Sequence, residues 1–207
     1  MGTDLYIISN IKLNRKEILE KKDWYIEQLN ALRLECTIST SIIKPKSKMD
    51  YNFWEYDFPI IYNPDNDEEI IDTDSPVIIE FDSPTGFGIR VYENCLELTT
   101  IYRYRFIYHE GGFISDYFWE FTKNIYDIIS IFGGTEIIYL ADNGCNILTD
   151  YLGEVWEGVS YEEVKKDILS KKIPLVSDYY QLNYDELDYR NIKEIVFYDF
   201  NDLKNKN

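Results

Sequence analysis

The chain has 207 residues, of which 45% are apolar and 16% aromatic, and it carries 21 Lys and Arg against 38 Asp and Glu. A chain of this length can bury a core that needs no disulfide or metal, so we expect a single domain over residues 1–207. The formal net charge of −17 works against binding to nucleic acid or to an anionic membrane.

The first part of the chain predicts one strand, one helix and a long loop-rich segment. Residues 4–9 form a short apolar run, which is typical of a strand. Asn14 followed by Glu17 has the spacing of a helix N-cap, and the apolar residues after it predict a helix, intact or broken, ending near Arg33. Segment 44–75 is acidic and rich in Pro, Asn and Asp, which predicts loops with short extended pieces.

From residue 77 onward strand patterns dominate and then alternate with helices. Four successive strand segments predict an antiparallel meander: 77–82, 87–92, 95–100 and 101–108. Next come a helix that begins at Ser115 or Asp116 and closes at Gly133 and Gly134, a strand at 136–141, a helix over 160–171, a strand at 194–200 and a fraying tail at 201–207. This order predicts an α+β fold, with a mostly antiparallel sheet and helices packed on one face.

The charge is concentrated in two windows that contain no Lys or Arg. Residues 49–89 hold eleven Asp and Glu, and residues 124–164 hold eight. Aromatic residues are interleaved with these acids, among them Tyr151, Trp156 and Tyr161 in the second window. An acidic and aromatic face is typical of a surface that docks a basic protein. A solvated surface without a partner is the alternative interpretation.

Motifs for catalysis and for metal or cofactor binding are lacking in the sequence. His109 begins a segment that resembles a zinc-protease helix, but Phe113 stands where the second His would be. The acidic run from Asp65 departs from a calcium-binding EF-hand loop at Ile70 and Pro76, so at most a weak cation site is left open. Neither a nucleophile elbow nor a phosphate-binding glycine loop occurs, and we expect no cofactor, no metal and no enzyme.

Cysteine usage and hydropathy predict a cytoplasmic protein. The three cysteines form no CxxC pair and there is no Cys/His cluster, which is typical of reduced, buried thiols. The N-terminus lacks the basic and apolar regions of a signal peptide, and the longest uncharged apolar runs are too short to span a bilayer. We therefore expect no association with a membrane.

The second half of the sequence resembles a family of binding proteins. Residues 118–143 join an aromatic helix to a glycine pair and an apolar strand that ends in Ala-Asp-Asn, and residues 156–164 follow with the sequence WEGVSYEEV. Over residues 77–172 the chain resembles the immunity proteins of bacterial polymorphic toxin systems. The resemblance implies a non-enzymatic inhibitor that binds a cognate toxin domain, often a basic nuclease. It implies no shared catalytic residues.

The sequence therefore predicts a cytoplasmic binding protein that neutralises a basic toxin domain. Two groups of residues are expected to contact the partner: Asp65, Asp67, Glu68, Glu69, Asp72 and Asp74 in the first window, and Glu154, Trp156 and Glu157 in the second. Their carboxylates would pair with Arg and Lys of the toxin. Two alternatives stay open, namely a carboxylate-based hydrolase and a structural or regulatory subunit of a mobile element. The oligomeric state is also left open.

Overall fold

The structure is a computed structural model that describes eleven strands and four helices. The described residues are 4–11, 13–32, 36–38, 41–43, 55–57, 60–63, 65, 68–72, 74–82, 87–103, 116–141, 151–170 and 197–199. The strands are β1 (Asp4–Asn10), β2 (Cys36–Ile38), β3 (Ser41–Ile43), β4 (Glu55–Asp57), β5 (Ile60–Asn63), β6 (Glu68–Ile71), β7 (Val77–Asp82), β8 (Phe87–Tyr92), β9 (Cys95–Arg103), β10 (Ile137–Ala141) and β11 (Phe197–Asp199). The helices are α1 (Arg15–Ala31), α2 (Asp116–Ile131), α3 (Tyr151–Trp156) and α4 (Tyr161–Ser170).

Seven of these strands form one antiparallel sheet in the order β11-β10-β1-β9-β8-β7-β4. Every neighbouring pair in it is antiparallel. The predicted meander is present as β7-β8-β9, and β1 lies between β9 and β10 near the centre. Two further pairs, β2-β3 and β5-β6, stand outside this sheet. The predicted α+β class with a mostly antiparallel sheet is confirmed.

The helices cover both faces of the sheet, which corrects the prediction that they pack on one face. Ile7 and Ile137 belong to one apolar cluster, which α1 and α2 cover. Ile8 and Ile138, their neighbours along the strands, belong to a second cluster, which α3 and α4 cover. Successive side chains of a strand point to opposite faces, so strands that are apolar at every position need cover on both sides.

The face under α1 and α2 holds the larger cluster. Asn14 caps α1, since its side chain accepts a hydrogen bond from the amide of Lys16 at 2.9 Å. Tyr25 of α1 stacks on Phe132, just past the end of α2, with ring centroids 4.9 Å apart. Both rings lie close to Phe81 of β7, so this stack ties the two helices to the meander.

The opposite face holds α3 and α4 against β1 and β10. Ser160 and Glu163 form the predicted capping box at the start of α4, with each backbone amide donating to the side chain of the other residue. The buried Tyr161 donates its hydroxyl to Glu136 at 3.0 Å, beside the bond from Lys165 to the same carboxylate oxygen. These bonds fix α4 on the sheet.

Two details differ from the sequence-based expectation. Residues 95–103 form one continuous strand, because no turn-forming residue separates Thr100 from Ile101; positions 104–108 of the predicted fourth meander strand are outside the described residues. The short helix α3 was not predicted. In α4 the buried stripe runs through Val164 and Ile168, and Leu169 is 48% exposed. The predicted tail at 201–207 also lies outside the described residues.

Two adjacent glycines end α2 and give a testable contrast. Gly133 has φ +78° and open space around it, whereas a Cβ on Gly134 would overlap Oγ of Ser9 and lie 3.0 Å from the carbonyl oxygen of Asn10. We expect Gly133→Ala to lower the free energy of unfolding by about 1 kcal/mol, from backbone strain alone. Gly134→Ala should lower it by about 3 kcal/mol, because strand β1 must move. Urea denaturation of the two variants measures both values, and a larger loss for Gly133→Ala would contradict this steric argument.

Candidate docking surface

A buried carboxylate on β9 organises the sheet face next to α3. Glu97 has no exposed surface, yet its carboxylate accepts three hydrogen bonds. Tyr92 donates its hydroxyl and Trp156 donates its indole N–H to Oε2, each at 2.9 Å. Arg90 donates from Nη1 to Oε1 at 3.5 Å. The network therefore connects strands β8 and β9 to the last residue of α3.

Arg90 extends the network across the sheet to the surface. Its Nε donates to Oε1 of Glu80 on β7 at 2.9 Å, and the side chains of Arg90 and Glu80 are each 35% exposed. The strand register explains this row, since Glu80 lies opposite Arg90 and Arg90 opposite Glu97. Cross-strand partners share a face. Three charged residues therefore run in line from the solvent to the buried carboxylate.

The electrostatics of Glu97 combine an unfavourable burial with favourable contacts. Desolvation raises the pKa of its carboxyl, while the hydrogen bonds from Tyr92 and Trp156 and the charge of Arg90 offset part of that rise. Burial beside Glu97 likewise raises the pKa of the Tyr92 hydroxyl, which stays protonated and donates. Because Glu97 has no exposed surface and its bonds are made within the fold, it holds the side chains of Tyr92, Trp156 and Arg90 in position.

Trp156 is the exposed member of the network. It is 40% exposed, although its indole N–H is held by Glu97. Tyr6 of β1 meets the indole edge-on, with ring centroids 6.0 Å apart and an interplanar angle of 82°. A large aromatic side chain that is both exposed and fixed in orientation is typical of an interface anchor, because little conformational entropy is lost on binding.

The second group of predicted contact residues lies around this anchor. Glu154 is half-buried on α3, and Glu157 is exposed in the turn that follows Trp156. The aromatic residues of this window do not all lie on the predicted surface, because Tyr151 and Tyr161 are buried in the core between helices α3 and α4 and the sheet. Trp156 is the aromatic residue of the three that reaches the surface.

The first group of predicted contact residues is divided by the structure. Asp65 and Asp74 are exposed, and Asp72 is half-buried. Glu68 and Glu69 lie on β6, paired with β5 outside the main sheet, while Asp67 is outside the described residues. The carbonyl oxygens of Asp72 and Ser75 accept hydrogen bonds from Arg15 of α1 at 3.1 and 2.9 Å. The amide of Asp74 donates to the Asp72 carboxylate at 3.0 Å, so the backbone of this loop is held in place.

The two groups of predicted contact residues approach each other where Gly158 lies close to Pro76. A Cβ placed on Gly158, which has φ +93°, would contact Pro76 at 3.7 Å. Glu157 precedes Gly158 and Asp74 lies two positions before Pro76, so the two acidic windows approach each other beside Trp156. We call the surface formed by Asp74, Glu80, Glu154, Trp156 and Glu157 the Trp156 surface. Glu68 and Glu69, on β6, are not among its residues.

The register of β4 against β7 pairs acidic positions at one edge of the main sheet. Asp57 lies opposite Glu80, and Glu55 lies opposite Asp82.

Sequence reasoning missed the row of charged residues that supports this surface. Glu97, Arg90 and Glu80 were not singled out as site residues. His109, the histidine considered in the sequence, lies outside the described residues. The available signal was a single Glu in the middle of an otherwise uncharged strand, CLELTT, which indicates either an exposed position or a partnered buried charge.

The described ranges contain neither a cluster of metal ligands nor a helix that could cross a membrane. There, no group of three or more His, Cys, Asp and Glu side chains is arranged to hold a metal ion. None of the helices found in those ranges combines the length and the apolar character that crossing a bilayer requires. Arg90 forms ion pairs with both Glu80 and Glu97.

Similarity to known proteins adds no functional information to this geometry. Comparison of the chain with protein-family models, with curated protein sequences and with solved structures found no match in any of the three.

Proposed function

We propose that this protein is a non-enzymatic binding protein that captures a basic protein partner through the Trp156 surface, as an immunity protein does with a cognate toxin domain. The observation that carries the proposal is the exposed indole of Trp156, locked by Glu97 and flanked by acidic residues. Aromatic anchors supply much of the binding energy of interfaces. Surrounding carboxylates speed association with a basic partner and exclude acidic ones.

Charge and preorganisation both support this proposal. The chain carries a net charge of −17, and acids on the Trp156 surface come from both of its windows without basic residues. Arg15 fixes the backbone around Asp74, and Glu97 fixes Trp156. A surface that is ordered before binding loses little entropy when it docks, which raises affinity.

Titration against a toxin domain tests the proposal. The C-terminal domain of the protein encoded immediately upstream would be titrated calorimetrically at about 50 and 500 mM salt, which differ strongly in screening. We expect nanomolar binding at low salt that weakens at high salt, because the interface pairs opposite charges. Absence of binding at both salt concentrations would contradict the pairing with that domain.

Charge reversal tests whether the Trp156 surface is the one that docks. The variant Asp74→Lys/Glu157→Lys should slow association at low salt by at least about tenfold, because electrostatic steering acts on the association rate. The control Glu20→Lys/Glu27→Lys changes the net charge equally on α1, across the sheet from this surface. An equal slowing by both variants, measured by stopped-flow fluorescence, would mean that the net charge and not this surface steers the partner.

A further inference from the structure

A cavity lies beside the Trp156 surface, where three segments of the chain meet. It has a volume of about 350 Å³ and is lined by Ser75 and Pro76 before β7, by Glu93 and Asn94 between β8 and β9, and by residues 158–160 between α3 and α4. Binding pockets for small molecules begin at about 300 Å³. The cavity therefore has room for a small ligand or for a side chain of a partner.

Hydrogen bonds fix the walls of the cavity. Arg15 binds the carbonyl oxygen of Ser75 at 2.9 Å. On the facing wall, the amide of Leu13 donates to the carbonyl of Glu93 at 3.3 Å, and the amide of Tyr161 donates to the carbonyl of Asn94 at 3.4 Å. The segments that line the cavity are thus tied to α1 and α4, so the cavity is preformed.

The floor of the cavity is apolar. Ile78, Tyr92 and Cys95 are buried there, and Val159 packs beside them. Burial raises the pKa of the Cys95 thiol, which is therefore a neutral part of this floor. The Tyr92 hydroxyl is bound by Glu97. These three buried residues are at most 4% exposed, so the accessible apolar contacts of the cavity are Pro76 and the half-buried Val159.

The charge around the cavity is negative. Glu93 and Arg15 line the cavity, and the charge of Arg15 balances that of Glu93 because its Nη1 and Nη2 donate to neutral carbonyls. Two exposed acids directly precede lining residues: Asp74 precedes Ser75, and Glu157 precedes Gly158. These two carboxylates leave a surplus of negative charge near the cavity, which favours a cationic ligand over an anionic one.

We propose that this cavity is a socket for one Lys or Arg side chain of the partner. The aliphatic part of such a side chain would lie on Pro76 and Val159 while its charged group stays near Glu93, Asp74 and Glu157, as long cationic side chains do on mixed surfaces. The inference rests on the proposed function for the source of the side chain. The chemistry of the socket can be tested without any partner.

Small cations probe the socket directly. Titration of the ¹⁵N-labelled protein with n-butylguanidinium and with n-butylammonium should give saturable amide shifts at Asn94, Gly158 and Val159. Glu93→Gln should weaken the apparent affinity about threefold, the effect of one partly exposed ion pair. The matched control Glu27→Gln, on α1, should leave it unchanged. Tighter binding of n-butyrate at the same amides, or no saturable shift with either cation, would overturn the proposal.

A variant that fills the cavity tests the socket proposal separately from the proposed function. Val159→Phe should abolish the cation-induced shifts and lower affinity for the upstream toxin domain by about tenfold or more, the loss of one well-seated anchor. If the wild-type protein binds that domain and Val159→Phe binds it equally well, the socket proposal fails and the proposed function stands. If the wild-type protein binds the small cations but not the toxin domain, that domain does not supply the side chain that fills the socket. The ligand of the socket is then a free alkyl amine.

Discussion

Replacing Glu97 with Ala should lower the free energy of unfolding by about 3 kcal/mol, because the buried hydroxyl of Tyr92 would lose its acceptor. Tyr92 is buried, so water cannot readily take the place of the carboxylate. Trp156 would lose the same acceptor, and Arg90 would keep only its bond to Glu80. Denaturation by urea, followed by circular dichroism, measures the difference.

The isosteric variant Glu97→Gln separates the hydrogen bonds from the charge. Its amide oxygen can still accept from Tyr92 and Trp156, so the loss should be about 1 kcal/mol or less. Glu162→Ala, an exposed change on α4, should fall within about 0.5 kcal/mol of wild type. A loss for Glu97→Ala no larger than that of Glu162→Ala would show that the network does not stabilise the fold.

The pH dependence of stability gives an independent test of the same carboxyl. The folded-state pKa of Glu97 is raised by burial, so the folded protein binds this proton more tightly than the unfolded chain does. Wild type should therefore gain stability relative to Glu97→Gln as the pH falls from 7 towards the unfolded pKa of about 4.3. A constant difference in unfolding free energy over this range would mean that the pKa of Glu97 is not raised.

The sequence predicted the elements well where local chemistry determines them. Asn14 and Ser160 act as helix caps through short hydrogen bonds within one turn, and such bonds can be inferred from spacing alone. Gly133 and Gly134 end α2 for a similar reason, since Gly133 has φ +78° and Gly134 donates to the carbonyl of Ile129. Capping motifs of this kind depend on a few consecutive residues.

The candidate surface depends on contacts between distant positions, which explains why it was predicted only in part. Trp156 was identified from its acidic neighbours, but its bond to Glu97 spans 59 positions of the chain. Whether an aromatic residue lies in the core or on the surface is decided by that kind of packing. Tyr151, Trp156 and Tyr161 look alike in the sequence, yet Trp156 alone of the three is exposed. That helices cover both faces of the sheet could not be predicted for the same reason, because no local pattern in the sequence determines the face on which α3 packs.

Removing the indole of Trp156 should have the largest effect on binding. Trp156→Ala is expected to weaken the proposed complex with the C-terminal domain of the upstream-encoded protein by about 30-fold, which corresponds to a loss of about 2 kcal/mol. The effect should be a faster dissociation rate with little change in association, because the anchor acts after electrostatic encounter. Surface plasmon resonance at low and high salt resolves the two rates.

Two further tryptophan variants distinguish three causes of the lost affinity: removal of the Trp156 ring, removal of its hydrogen bond to Glu97, and removal of any exposed tryptophan. Trp156→Phe keeps an aromatic ring but cannot donate to Glu97, so it should lose affinity to an intermediate extent if orientation by Glu97 matters. Trp24→Ala removes a tryptophan that is 47% exposed from α1, on the opposite side of the sheet, and should leave dissociation unchanged. If Trp24→Ala accelerates dissociation as much as Trp156→Ala, the docking surface is not the one around Glu97. If Trp156→Phe binds like wild type, the ring anchors the partner and the hydrogen bond to Glu97 serves the fold alone.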